Sequence, residues 1–359
     1  MSYINKIGTA TAPYKMNQAD VALFMQNFYD EDENTKRKIG LMYDRSGIKT
    51  RYSAVPDYNL NTHTNQLLPQ NLKDAFPTVN KRMDLFFNVA PQMSKEAILN
   101  CLENEDVLQT ITHLITVSCT GMAAPGLDLM LMEQLNMPSH VHRTSVNFMG
   151  CYAVFHALKM ADAFCSANKN NKVLIVSVEL CTLHFQSNFS MDNVAANLLF
   201  ADGAAACVVT SNTNFDNAIQ LHSFYSQVLF GGKTDMAWHI SNTGFLMTLS
   251  AFIPNLIESG IGNLLNEALK NAHLTINKIN NWAIHPGGRK IIETIQKELS
   301  LTNTDVELSF EVLKNYGNMS SATILFVLQQ MQLNQRKGKV FACGFGPGLT
   351  LETLIGEFV

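Results

Sequence analysis

Two periodicities alternate along the chain. Apolar, β-branched runs bounded by polar or glycine-rich turns occur at Ile111 to Ser118, Lys172 to Val178, Ala204 to Thr210, Asn281 to His285, Lys339 to Cys343 and Thr350 to Ile355. Such runs read as strands. Between them the spacing turns helical: Leu127, Met130, Leu131 and Leu135 form one apolar stripe, and Ile261, Leu264, Leu265, Ala268 and Leu269 form another. The alternation predicts an α/β protein. Leu349 to Phe358 fits a helix as well as a strand, because periodicity alone does not separate the two there. A length of 359 residues suits two domains or one duplicated fold. The polar stretch Ser211 to Asn217, following a strand, divides the chain into residues 1–213 and 214–359. Asp30-Glu31-Asp32-Glu33 reads as a solvated loop, since like charges stay hydrated.

Composition narrows the classes. Hydrophobic residues make up 47% and charged residues 16%, which predicts order over most of the length. A formal charge of −4 leaves no basic footprint for nucleic acid. The first residues lack the charged and apolar stretches of a signal peptide, and no run reaches the ~18 apolar residues of a membrane span. The seven cysteines (101, 119, 151, 165, 181, 207 and 343) are odd in number and lack Cys-x-x-Cys spacing. That argues against a disulfide framework or zinc site and for a reducing cytoplasm. His140-Val141-His142 lacks further ligands and reads as surface. Gly344, Gly346 and Gly348 lack the dinucleotide fingerprint spacing.

Three segments carry candidate chemistry. Cys151 follows Gly150 and opens a buried helix from Tyr152 to Met160, where unpaired N–H groups and the helix dipole favour thiolate. Cys119, followed by Thr120-Gly121 at the end of a strand, competes for the same role, and local pattern does not choose between them. His285, in His285-Pro286-Gly287-Gly288, ends a strand and presents an imidazole to a cleft; a helix from Arg289 to Leu299 follows it. Asn318, after Tyr316-Gly317, precedes an apolar helix from Met319 to Met331 and reads on its own as an N-cap. Cysteine, histidine and asparagine together suit acyl-thioester chemistry.

Five motifs resemble those of type III polyketide synthases of the chalcone and stilbene synthase superfamily. They are Gly150-Cys151-Tyr152-Ala153, Phe200-Ala201-Asp202-Gly203, His285-Pro286-Gly287-Gly288, Tyr316-Gly317-Asn318-Met319-Ser320-Ser321 and Gly344-Phe345-Gly346-Pro347-Gly348. Weaker similarity reaches Asp44-Arg45-Ser46-Gly47-Ile48, so the resemblance covers most of the chain. It implies a duplicated thiolase-like fold with five-layered αβαβα packing, and a homodimer. It implies Cys151 as nucleophile, with His285 and Asn318 as its catalytic partners, and Cys119 and Thr120 lining the cavity together with Pro347. The implied substrates are acyl-CoA and malonyl-CoA, with no metal or redox cofactor. CoA falls to Gly287, Gly288, Lys38 and Arg45; Leu41 replaces the family's third basic residue, and Lys36, Arg37, Lys49 and Arg51 are candidates to compensate.

The same resemblance points to the starter. Phe200 matches a gatekeeper phenylalanine, whereas Met247 stands where plant enzymes carry a second one. Ala196 replaces a glycine common in those enzymes. The segment Glu179 to Gln186 is similar to that of microbial alkylpyrone and alkylresorcinol synthases, in which the residue matching Cys181 borders a tunnel for long acyl chains. The expectation is a fatty acyl starter, extended by decarboxylative condensation and cyclised to a pyrone or resorcinol. The alternatives are a ketoacyl synthase III-like enzyme fed by an acyl carrier protein, and a non-catalytic acyl-binding partner with this fold.

Overall fold

The chain opens with strand β1 (Ser2–Thr11), then a short ribbon strand β2 (Tyr14–Asn17), helices α1 (Gln18–Tyr29) and α2 (Glu33–Arg45), strand β3 (Thr50–Ser53) and the long helix α3 (Val79–Cys101). The structure is a computed structural model and describes residues 1–29, 31–58, 65–69 and 75–359. The acidic cluster starts a helix rather than forming a solvated loop. Asp32 caps α2 by accepting from the N–H groups of Asn34 and Thr35 at 2.8 and 3.1 Å, which satisfies donors that the first turn leaves unpaired. Asp30 lies outside the described residues.

Next come β4 (His113–Ser118), α4 (Leu127–Gln134), β5 (His142–Asn147), α5 (Ala153–Ala167), β6 (Lys172–Leu180), α6 (Met191–Leu199) and β7 (Asp202–Thr210). The remainder runs β8 (Ile219–Val228), a hairpin of β9 (Met236–Ser241) and β10 (Gly244–Leu249), α7 (Ile253–Asn271), β11 (Ile279–Ile284), α8 (Arg289–Glu298), α9 (Asn303–Tyr316), α10 (Thr323–Leu333), β12 (Gly338–Gly346) and β13 (Thr350–Phe358). The ambiguous C-terminal segment is therefore a strand. It pairs antiparallel with β12 on one side and β8 on the other, and two ladders outweigh any local helical preference.

Among the described residues the main sheet has nine strands in the order β11-β12-β13-β8-β1-β7-β6-β4-β5. Its two parts repeat one pattern. From β1 outward, β7 and β6 are each antiparallel to the strand before, and β4 is parallel to β6. From β8 outward, β13 and β12 are antiparallel in the same way, and β11 is parallel to β12. The parts join where Ser2, Tyr3 and Ile4 of β1 pair with Leu221, Gln220 and Ile219 of β8. In each part a helix precedes the third strand from the centre-line: α5 leads to β6, and α10 leads to β12.

Side-chain alternation along these strands separates three cores. Leu174 and Val176 of β6 face a cluster with α3, whereas Val173 and Ile175 face a second cluster with α5 and α10. On the other part, Val340 and Ala342 of β12 join that same second cluster, and Phe341 and Cys343 turn to a third with α7. Period-two burial on both faces makes these strands continuous apolar runs. The layers read helix, sheet, helix, sheet, helix, with α5 and α10 in the middle.

Candidate active site

Cys151 lies in the turn between β5 and α5. The helix begins one residue later than its apolar pattern predicts, at Ala153, with Tyr152 as N-cap. Two glycines shape this turn. Gly150 has φ +82, a left-handed conformation that side chains resist, and a Cβ there would lie 2.4 Å from Cδ of Pro347. A Cβ on Gly346 would lie 2.6 Å from Cδ1 of Tyr152 and 3.4 Å from the backbone nitrogen of Cys151. The end of β12 thus presses directly on the turn that presents the thiol.

Cys119, the competing cysteine, supports the same turn. Its sulfur accepts the N–H of Gly150 at 3.0 Å, and its own N–H donates to Oε2 of Glu179 at 2.9 Å. Burial pushes its thiol well above the ordinary range, with the Glu179 charge adding to that.

Asn318 occupies the matching place in the second part, in the turn before α10. A short 3₁₀ turn, Ser320–Ala322, intervenes, so α10 starts at Thr323 rather than Met319. Two backbone bonds, Asn318 N–H to Leu199 O and Ala201 N–H to Asn318 O, both 2.9 Å, tie it to the segment between α6 and β7. Its Oδ1 accepts from Ser320 N–H at 2.9 Å, an Asx turn just ahead of the 3₁₀ turn; the helix N-caps are Met319 and Ala322, so Asn318 is not the N-cap its pattern suggests. That bond also orients the amide. Both ends of the amide meet the Cys151 sulfur: the thiol donates to Oδ1 at 3.9 Å, and Nδ2 lies 4.0 Å from the sulfur and reaches the carbonyl of Gly287 at 3.4 Å.

His285 follows β11, and its backbone N–H extends the pairing with β12 by donating to Cys343 O at 2.9 Å. Its side chain is 1% exposed, and neither ring nitrogen has a partner. Burial pushes its imidazole down to about 3. Burial likewise pushes the Cys151 thiol up to about 12, opposed by the Ser320 and Asn318 side chains and reinforced by the Glu179 charge.

Glu179, fully buried on β6, joins the two parts beneath this site. It accepts from Cys119 N–H and from the Ser321 hydroxyl, which also pairs with Ser177 at 2.8 Å. Burial raises its carboxyl from 4.5 to about 7, partly offset by these bonds. Because the folded value exceeds the unfolded one, the stability it contributes is fully present below about pH 4.5. It is lost as pH rises through about 7. Glu179→Gln should remove this slope. Denaturant titrations at pH 5 and pH 8 should show the variant gaining about 3 kcal/mol on the parent across that interval, at ~1.4 kcal/mol per unit. A constant difference would count against an ionising Glu179.

All three candidate catalytic residues open on one cavity of about 640 Å³. Its wall includes Cys119, Thr120, Cys181, Phe200, Met247, Pro347, Gly287 and Gly288, as the motifs lead one to expect. Cys151, Cys181 and Phe200 pack together, with Ala196, Leu199, Met247 and Leu249 against them. Ala196 itself lines a smaller adjoining chamber of about 30 Å³, with Asn193, Asn197, Gln186 and His184. Among the described residues, the chamber beyond Cys181 in that direction has room for about one water rather than a long chain.

The cations differ from expectation. Arg45 lines the cavity beside Leu41, but Lys38 is exposed one turn further out along α2 and does not. Arg51 is no substitute for the lost basic residue. It is 2% exposed, donates from Nε to Gln18 Oε1 at 2.8 Å and binds the carbonyl of Phe200, so it braces the gatekeeper from inside. Two cations at the mouth, Arg289 and Lys290, had no motif to mark them.

The hairpin β9–β10 was also missed. It supplies Met236, Trp238, Met247 and Leu249 to the wall. His184 stacks on Phe245 at 4.6 Å, stands edge-on to Trp238 at 5.0 Å and bonds Thr120 Oγ1 through Nε2 at 2.9 Å. The period-two pattern Met236, Trp238, Ile240 and then Phe245, Met247, Leu249, across Asn242-Thr243-Gly244, was the available signal.

A thiol, an imidazole and a carboxamide around an apolar cavity belong to the acyl-condensing class. Family models for chalcone and stilbene synthases match here, the N-terminal domain over residues 2–213 and the C-terminal domain over 220–359. The chain belongs to this family and is a type III polyketide synthase, an acyltransferase. It is 29% identical to the alpha-pyrone synthesis polyketide synthase-like Pks18 of Mycobacterium tuberculosis, over 100% of this chain and 92% of that one. It is 28% identical to probable polyketide synthase 1 of Dictyostelium discoideum, over 98% of this chain but 11% of that protein. Among solved structures, PKS-I of the brown alga Ectocarpus siliculosus superimposes with a TM-score of 0.90 at 26% identity, covering 100% and 98% of the two chains. The C-terminal type III domain of Steely1, a type I/III hybrid from Dictyostelium, gives 0.90 and 26%, covering 100% and 99%.

Proposed function

We propose that the enzyme loads a fatty acyl-CoA on Cys151, extends it with malonyl-CoA and releases an alkylpyrone or alkylresorcinol. Cys151 sulfur attacks the starter thioester as its proton passes to His285, and CoA leaves as the thiol on taking that proton. Loss of carbon dioxide from malonyl-CoA leaves an enolate, whose oxygen accepts hydrogen bonds from His285 and Asn318 Nδ2. The enolate carbon attacks the Cys151 thioester, which frees the sulfur and leaves the lengthened chain on CoA. Reloading on Cys151 starts the next round. Attack by an enol oxygen of the chain on its thioester carbonyl expels the thiol and closes a pyrone; attack by a chain carbanion on a ketone, with loss of water, thioester hydrolysis and loss of carbon dioxide, gives a resorcinol.

The observation that carries this reading is the single cavity with catalytic groups on one wall and Met236, Met247, Leu198 and Leu249 on the others. Methionine and leucine conform to a flexible alkyl chain, and one relative is named for alpha-pyrone synthesis. Steady-state rates across acyl-CoAs from acetyl to palmitoyl, with product masses, test it. The expected kcat/KM rises at least about tenfold from acetyl to a medium or long chain, each buried methylene contributing ~0.8 kcal/mol. Cys181→Phe should move the optimum to shorter chains. A preference for a phenylpropanoid starter, or an unchanged optimum in Cys181→Phe, would refute the alkyl assignment.

The working unit of this proposal is a cytoplasmic homodimer. β5 is an edge strand of the main sheet with exposed His142, Arg143, Ser145 and Asn147, and an open edge invites antiparallel pairing with a second copy. No helix among the described residues is long and apolar enough to cross a membrane.

A further inference from the structure

The mouth of the cavity has one cation on α2, Arg45, with Leu41 a turn away, and two on the opposite lip. We propose that Arg289 and Lys290, at the start of α8, bind the diphosphate of the CoA thioesters together with Arg45, replacing the charge absent at Leu41. The inference rests on the reading of the chain as a CoA-using synthase.

Four observations carry it. Leu41 and Arg45 of α2, and Arg289 and Lys290 of α8, line the mouth of one cavity. The two lips touch: a Cβ on Gly47 would lie 3.3 Å from Cδ of Arg289, so the arginine stem crosses the chain just after Arg45. Arg289 donates through Nε to Glu293 at 2.7 Å, which fixes its stem and leaves its terminal nitrogens for a ligand. The first turn of α8 adds its own N–H groups, because its N-cap is Gly288, with no side chain to occupy them.

Charge also fixes the side on which phosphate sits. Beyond Arg289 lies a separate groove of about 500 Å³ lined by Glu293, Glu307 and Glu311, with Lys314. Three carboxylates repel a diphosphate there. The cavity side of Arg289, shared with Lys290 and Arg45, attracts it, and guanidinium suits paired phosphate oxygens.

The test compares two malonyl thioesters, malonyl-CoA and malonyl-N-acetylcysteamine, which lacks the nucleotide. For the double substitution Arg289→Glu/Lys290→Glu, KM for malonyl-CoA should rise roughly 10- to 100-fold with kcat little changed, as lost uniform binding requires. The ratio of kcat/KM between malonyl-CoA and malonyl-N-acetylcysteamine should fall by the same factor. Its decline with added salt should flatten. Arg289→Gln/Lys290→Gln, with similar helix propensity, should give a smaller shift in the same direction should the reversal fail to fold. An unchanged KM for malonyl-CoA, or an equal loss with both thioesters, would overturn the anchor. Calorimetric titration of free CoA into parent and variant decides the matter even if the parent proves unable to condense malonyl-CoA: weaker binding by the variant supports the anchor, and equal binding refutes it.

Discussion

Cys151→Ala should abolish polyketide formation, by at least about 10³-fold, while malonyl-CoA is still converted to acetyl-CoA. The division of labour in the site predicts this split. Decarboxylation needs donors for the enolate oxygen, and in the proposed mechanism His285 and Asn318 Nδ2 supply them without the sulfur. Condensation needs the acyl group held covalently, which only Cys151 offers. Cys119, the other thiol near the turn, is not expected to substitute, because its sulfur is engaged by the Gly150 N–H. Chromatographic assay of acetyl-CoA and extended products separates the two activities. Loss of both together would mean that the sulfur also takes part in decarboxylation; survival of condensation would remove Cys151 from the mechanism.

Asn318→Asp should slow decarboxylation by about 10²- to 10³-fold, the usual consequence of removing one oxyanion donor. Aspartate is the informative replacement. It keeps an oxygen to accept the Ser320 N–H, a bond whose loss in alanine would cost ~1 kcal/mol, but it has no N–H to aim at an enolate. Its charge also opposes the enolate directly. The expected variant melts within a few degrees of the parent and releases labelled carbon dioxide from malonyl-CoA far more slowly. Near-parental decarboxylation in the aspartate variant would confine Asn318 to its structural role.

The sequence carried the α/β class, six strands of the main sheet and the cysteine–histidine–asparagine set, because buried strands and glycine turns leave strong local marks. Gly150 and Gly346 are legible for a physical reason: a Cβ at either would strike Pro347 or Tyr152. Features set by long-range packing were harder to read. Leu349 to Phe358 became a strand only because β8 and β12 flank it. Arg51 looked like a solvent-facing cation, yet its partners Gln18 and Phe200 are distant in sequence and draw it inside. The cations Arg289 and Lys290 carry no motif, and their position follows from how α8 meets the loop after α2. Trp238 and its hairpin form a cavity wall that becomes evident only when β9–β10 is set against α6.

The central claim is that an acyl group from CoA is held on Cys151 while malonyl-CoA extends it. Its most direct test is intact-mass and peptide mass spectrometry of the parent protein quenched after mixing with a fatty acyl-CoA alone, without carrier protein. The account predicts one added acyl mass on the peptide carrying Cys151, chased into free ketide lactone when malonyl-CoA follows. An adduct on Cys119 or Cys181, or a protein that stays unacylated while releasing product, would contradict it.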